Sequence, residues 1–162
     1  MFSWATSMPQ LVSPVMSLPL ALISAFVPHT VKGIILGTVG YSNVAPRENL
    51  ERAAHLSESR KDKPAKISKG MLAMATRSAA AHANGLEAFS FFGIAMLSAI
   101  ATGVKDKAAL SSLATLFLAA RTAFNVCYIF GTNDAIAGLR SLSFMVGAVC
   151  IGCLFYLASA AY

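Results

Sequence analysis

Charge is what this chain has least of: only 12% of its 162 residues are Asp, Glu, Lys or Arg, against 56% that are hydrophobic. Soluble domains carry charge on roughly a quarter of their positions, so this composition does not cover a water-facing surface and excludes an ordinary cytosolic globule. Cysteine is scarce as well. Cys127, Cys150 and Cys153 sit inside apolar segments, where neither a disulfide framework nor a closed four-ligand zinc site can be assembled from them. The net charge of +6 does not point to nucleic acid, because the basic cluster lacks interleaved aromatic residues and is flanked by apolar runs of bilayer length.

What is present is a pattern of four apolar spans and one basic loop. Seven basic residues (Arg47, Arg52, Arg60, Lys61, Lys63, Lys66 and Lys69) fall between Tyr41 and Lys69, together with four of the seven acids. The rest of the chain is nearly uncharged, and a mean hydropathy of +0.64 follows. A single membrane domain is expected over 1–162, with spans at about 11–40, 71–103, 108–130 and 139–162 and a polar basic loop at 41–69. Pro14, Pro19 and Pro28 predict a kinked or partly irregular first span. No basic residue precedes that span and no small-x-small site follows it, which favours a retained span over a cleaved signal peptide.

The second span, Met71 to Gly103, has no proline and at ~1.5 Å per residue would reach about 50 Å, more than a hydrocarbon core of ~30 Å needs. One end should protrude into water or lean steeply. A short helix is expected around Asn49 to Leu56, and a tight turn at Val104 to Lys107. Short connections imply antiparallel neighbours. The side with the first and third loops holds the seven basic residues, and the opposite side holds Lys105 and Lys107, so both termini should face away from the cytoplasm.

The informative residues are polar ones inside the spans, where ionisable groups are costly and usually functional. Arg77, Asn84 and Glu87 lie at i, i+7 and i+10 on the second span, and Arg121, Asn125 and Tyr128 at i, i+4 and i+7 on the third. Each set should share one helical face, and with Arg140 on the fourth span all three faces reach the cytoplasmic half. Three arginines against the one carboxylate of Glu87 leave a positive excess that suits an anionic, carboxylate-bearing ligand. The structural alternative is that Arg77, Glu87 and Arg121 form interhelical ion pairs, with Asn84 and Asn125 as hydrogen-bond glue.

The strings RSAAAHANGLEAF, RTAFNVCY and LRSLSF, with YSNVAPRE in the first loop, together resemble the MAPEG superfamily, the membrane-associated proteins of eicosanoid and glutathione metabolism. The resemblance runs from about Lys32 onwards. It implies an all-α subunit of four transmembrane helices, usually a homotrimer, that binds glutathione between neighbouring subunits. By position it implies that Arg77, Asn84, Glu87, Arg121 and Tyr128 hold the tripeptide, that Arg140 lies near its sulfur, and that Ser141 donates a hydrogen bond to the thiolate. A thiolate is the nucleophile, and a nearby guanidinium favours it.

On this resemblance the expected function is a glutathione-dependent transferase or peroxidase acting on a lipophilic electrophile that arrives from the lipid. The membrane is expected to be the endoplasmic reticulum or another organelle in a eukaryote, or the inner membrane in a bacterium. Departures from the pattern are Ala80 where catalytically characterised members often carry a further Arg, Ala83 in place of a polar residue just before Asn84, and Phe124 and Phe144 where some carry His and Tyr. They support an alternative, a non-catalytic member serving as an accessory subunit of a larger membrane assembly.

No metal site is expected. His82 should face away from the Arg77 stripe as a packing residue, and Cys150 and Cys153 should be packing thiols. Phe89, Phe91 and Phe92 should pack in the bundle or against lipid, and Lys32 should snorkel to the interface.

Overall fold

The computed structural model describes residues 7–58 and 66–162. Arg60, Lys61 and Lys63 of the basic loop lie outside the described residues. The elements are α1 (Ser17–Gly37), α2 (Asn49–Ser57), α3 (Lys69–Ala101), α4 (Lys107–Phe130) and α5 (Asp134–Ala161). Four of them, α1, α3, α4 and α5, are long and apolar enough to cross a membrane. The protein is an all-α, four-span bundle in which α1 packs on α3 and α4, and α5 packs on α4 and α3.

Local sequence sets where each span begins and ends. Ser68, Asp106 and Asn133 cap α3, α4 and α5: their side-chain oxygens accept from the backbone N–H of Met71, Ala109 and Ile136 at 3.2, 2.9 and 3.0 Å. The end of α3 is a Schellman turn. Gly103 takes φ +74°, its N–H donates to Ile100 at 3.1 Å, and that of Val104 donates to Ala99 at 3.1 Å. That turn is why α3 and α4 are antiparallel neighbours across only a few residues.

The first span is shorter than expected. It starts at Ser17, so Pro14 precedes it and Pro19 sits in its first turn, where a missing N–H breaks no intrahelical bond. Pro28 is the proline in the helix interior, and it is buried. The fourth span starts earlier than expected, at Asp134.

Packing divides the bundle by depth. The main core lies in the half remote from the basic loop, where Phe92 of α3 and Phe117 of α4 stack at 3.9 Å with their planes 3° apart, surrounded by Met96, Leu113 and Leu154. The expected protrusion of α3 is at the opposite end. There its first turns and the last turns of α1 extend beyond the α4–α5 connection, and α2 lays Leu50, Ala53 and Leu56 against Ile35, Leu36, Ile67 and Ala75. Between these two apolar clusters lies the stretch that carries the intramembrane arginines.

Candidate anion-binding cleft

A cleft of about 270 Å³ opens between α3, α4 and α5. Asn84, Glu87, Ala88 and Phe91 of α3 form one wall, Phe117 and Arg121 of α4 the floor, and Phe144, Gly147, Ala148 and Ile151 of α5 the other wall. Gly147 packs beside Arg121 and Phe117: a Cβ there would stand 3.9 Å from the Arg121 Cδ and 3.8 Å from the Phe117 ring, in ordinary van der Waals contact.

Arg121 is only 4% exposed, and its Nη2 has no hydrogen-bond partner among the described residues. The guanidinium rests on its own helix's Phe124, with Cζ 4.1 Å from the ring centroid. Asn84 also presents a buried, unpartnered atom, Oδ1. Among the described residues none of Arg77, Arg121 and Arg140 is ion-paired, and Glu87 stands exposed at the cleft rim. The interhelical ion pairs that the sequence allows are therefore absent among the described residues. What remains is a desolvated cation and an unsatisfied amide oxygen lining one partly apolar cavity, an arrangement that suits a ligand with both an anionic group and a donor.

The remaining candidates form a second tier nearer the basic loop. Asn84 lies seven residues beyond Arg77, a rise of ~10 Å along α3. Arg77 Nε donates to the carbonyl of Ile129 at 3.1 Å, one of the last carbonyls of α4, which have no intrahelical donor. Arg140 of α5 lies over the ring of Tyr128, Cζ to centroid 4.7 Å. Tyr128 in turn meets Phe124 edge to face at 5.3 Å. Ser141 is exposed, and its Oγ donates to Ala137 of its own helix at 3.1 Å. Of the seven residues expected at the site, Asn84, Glu87 and Arg121 thus share the cleft, Tyr128 and Arg140 stack beside each other outside it, and Arg77 and Ser141 each bond to backbone.

Asn125 departs from the face assigned to it. Arg121 turns toward α5, whereas Asn125 faces α1, where its Nδ2 donates to the carbonyl and, at 3.4 Å, to the hydroxyl of Ser24. His82 does face away from the cleft: its Nδ1 bonds to the Ala25 carbonyl at 2.8 Å, and its ring packs on His29 and Phe26. Among the described residues no three His, Cys, Asp or Glu side chains gather as metal ligands. The aromatic trio separates: Phe92 is core, while Phe91 is 60% exposed and lines the cleft. Sequence reasoning misses Phe117, Gly147 and Ile151 at the site; the only signal for them is that they lie one turn or two from Arg121 and Phe144.

The MAPEG family model matches residues 18–160, nearly the whole chain. The chain belongs to the MAPEG family. Neither the curated proteins nor the solved structures yielded a match to it. As a MAPEG protein with four spanning helices it is a multi-pass integral membrane protein, of a family generally associated with glutathione. In a bilayer the outward Ile23, Ile34, Ile94, Leu97 and Val149, each more than half exposed, face acyl chains or other protein rather than water.

Proposed function

We propose that this protein is a glutathione-dependent membrane transferase or peroxidase acting on a lipophilic electrophile. The observation that carries the reading is the pairing, in one cleft, of the unpartnered Arg121 Nη2 with the unpartnered Asn84 Oδ1. A tripeptide with two carboxylates and an ammonium group supplies acceptors for the first and donors for the second. Glu87 on the rim is the counter-charge for the ammonium group. The apolar walls of Phe91, Phe144 and Ile151 suit an electrophile entering from the lipid. Arg140, one turn before Phe144, is the cation assigned to stabilise the glutathione thiolate, with Ser141 beside it.

The same reading includes a homotrimer. Ala73, Thr76, Ala80, Ala83, Glu87, Ser90, Ile94, Leu97 and Ala101 form an exposed stripe on α3 at alternating three- and four-residue spacing. That spacing is a helix-pairing seam, and its first half is made of small residues. An exposed carboxylate at mid-span is costly against lipid, so a neighbouring copy covering Glu87 would complete the site.

Engagement of Arg77 with the Ile129 carbonyl of another helix favours a second reading, a non-catalytic accessory subunit whose polar groups tie helices together. Titration of the purified protein in detergent with glutathione separates the two. The enzyme reading expects saturable binding and an ultraviolet thiolate band lost in Arg140→Ala. Absence of binding at millimolar glutathione would leave the accessory reading.

A further inference from the structure

Arg121, Phe124, Tyr128 and Arg140 form one continuous series that the ligand reading of these residues does not use. The Arg121 guanidinium lies 4.1 Å from the Phe124 centroid, Phe124 meets Tyr128 at 5.3 Å with planes 62° apart, and Arg140 lies 4.7 Å from the Tyr128 centroid. Both ends are cations, and neither has an acidic partner among the described residues. In a region of low dielectric an unpaired guanidinium must find some source of negative potential, and the face of an aromatic ring provides it. The two rings also hold the like charges apart.

From this geometry we infer that Tyr128 is a positioning residue. It sets the place of Arg140 through the face of its ring, and its hydroxyl is not the functional group. The inference rests on the glutathione reading for its consequence, the stabilisation of a thiolate by Arg140, but the placement itself is a property of the free protein. Three observations support it. The ring face carries Arg140, whereas the hydroxyl makes no hydrogen bond among the described residues. Phe124 braces the ring edge-on and is itself buried, so the platform cannot tilt freely. Arg140 also lies in the second turn of α5, close enough to the membrane boundary for its long side chain to turn to water once the platform is removed.

The test compares Tyr128→Phe, which keeps the face and deletes the hydroxyl, with Tyr128→Leu and Tyr128→Met, which delete the face. All are made in the full-length chain in detergent, and each variant is first checked for a cooperative thermal transition. The first readout needs no ligand: the rate at which phenylglyoxal modifies Arg140, followed by peptide mass. Wild type and Tyr128→Phe should react alike, and the two non-aromatic variants several-fold faster. The second readout is the pH midpoint of the glutathione thiolate band, expected unchanged in Tyr128→Phe and raised by about one pH unit in the non-aromatic variants.

Equal modification rates in all four proteins would overturn the inference, as would a Tyr128→Phe variant that loses glutathione binding as completely as Tyr128→Leu. If wild type forms no thiolate, the glutathione reading fails while the modification rates still decide the role of Tyr128. The two non-aromatic variants serve as replicates should one of them fail to fold.

Discussion

Asn125 Nδ2 donates to the carbonyl of Ser24 at 2.9 Å, and Ser24 is the residue whose helical partner would be the N–H of position 28. Position 28 is proline, so the carbonyl has no donor within α1, and a side chain from α4 takes that place. In lipid an unsatisfied backbone carbonyl is expensive, which makes this one contact a condition for the proline-containing helix to sit in the bundle. Asn125→Leu should lower the thermal midpoint in detergent, at a cost of about 1–2 kcal/mol. In a Pro28→Ala background, where Ser24 regains an intrahelical donor, the same substitution should cost clearly less. A double-mutant cycle on unfolding measures the coupling, and strict additivity of the two changes would contradict the account.

At Gly85 α1 and α3 approach so closely that an added Cβ would lie 3.0 Å from both Cα and Cβ of Ala25. Gly85→Ala should force the two helices apart and destabilise by about 1–3 kcal/mol. At Gly93 on the same helix an added Cβ would meet nothing within 4 Å, so Gly93→Ala should be neutral or stabilising through helix propensity. Thermal unfolding of the two variants side by side checks the contrast.

Much of the architecture follows from short-range chemistry legible in the chain: apolar runs of bilayer length, capping residues at Ser68, Asp106 and Asn133, and a glycine where α3 must reverse. The spacing of Asn84 and Glu87 likewise leads to a shared wall of the cleft. Helical angle alone does not separate Arg121 from Asn125. Four residues advance a helix by only about 40° beyond one full turn, and whether α1 or α5 packs on either side of that narrow wedge is a tertiary fact. Nor can spacing reveal that Arg77 is drawn to the Ile129 carbonyl, because that depends on where α4 ends relative to α3.

Arg77 distinguishes two roles by a simple comparison. Its Nε occupies a C-terminal carbonyl of α4, so Arg77→Ala should lower stability by about 1 kcal/mol or somewhat more, whereas Arg77→Lys, which keeps a positive charge near that helix end, should recover part of the loss. If this is its main duty, glutathione affinity should change little in either variant. A drop in affinity comparable to that of Arg121 substitutions, without a change in melting, would instead place Arg77 on the ligand.

Arg121 should show the opposite balance between stability and binding. Its guanidinium is buried with Nη2 unsatisfied and no ion-pair partner among the described residues, so the free protein bears the desolvation cost and recovers the contact with Phe124. Replacing it by Met, which fills similar volume without charge, should raise the thermal midpoint of the ligand-free protein and abolish saturable glutathione binding. Arg121→Lys should bind weakly, because a point charge on a flexible stem does not reproduce the planar fork that faces the cleft. Glutathione should raise the melting temperature of wild type in proportion to the logarithm of its concentration and leave Arg121→Met unmoved. A Met variant that melts lower than wild type in the absence of ligand would mean that Arg121 holds the bundle together, and the cleft would lose its claim as an anion site.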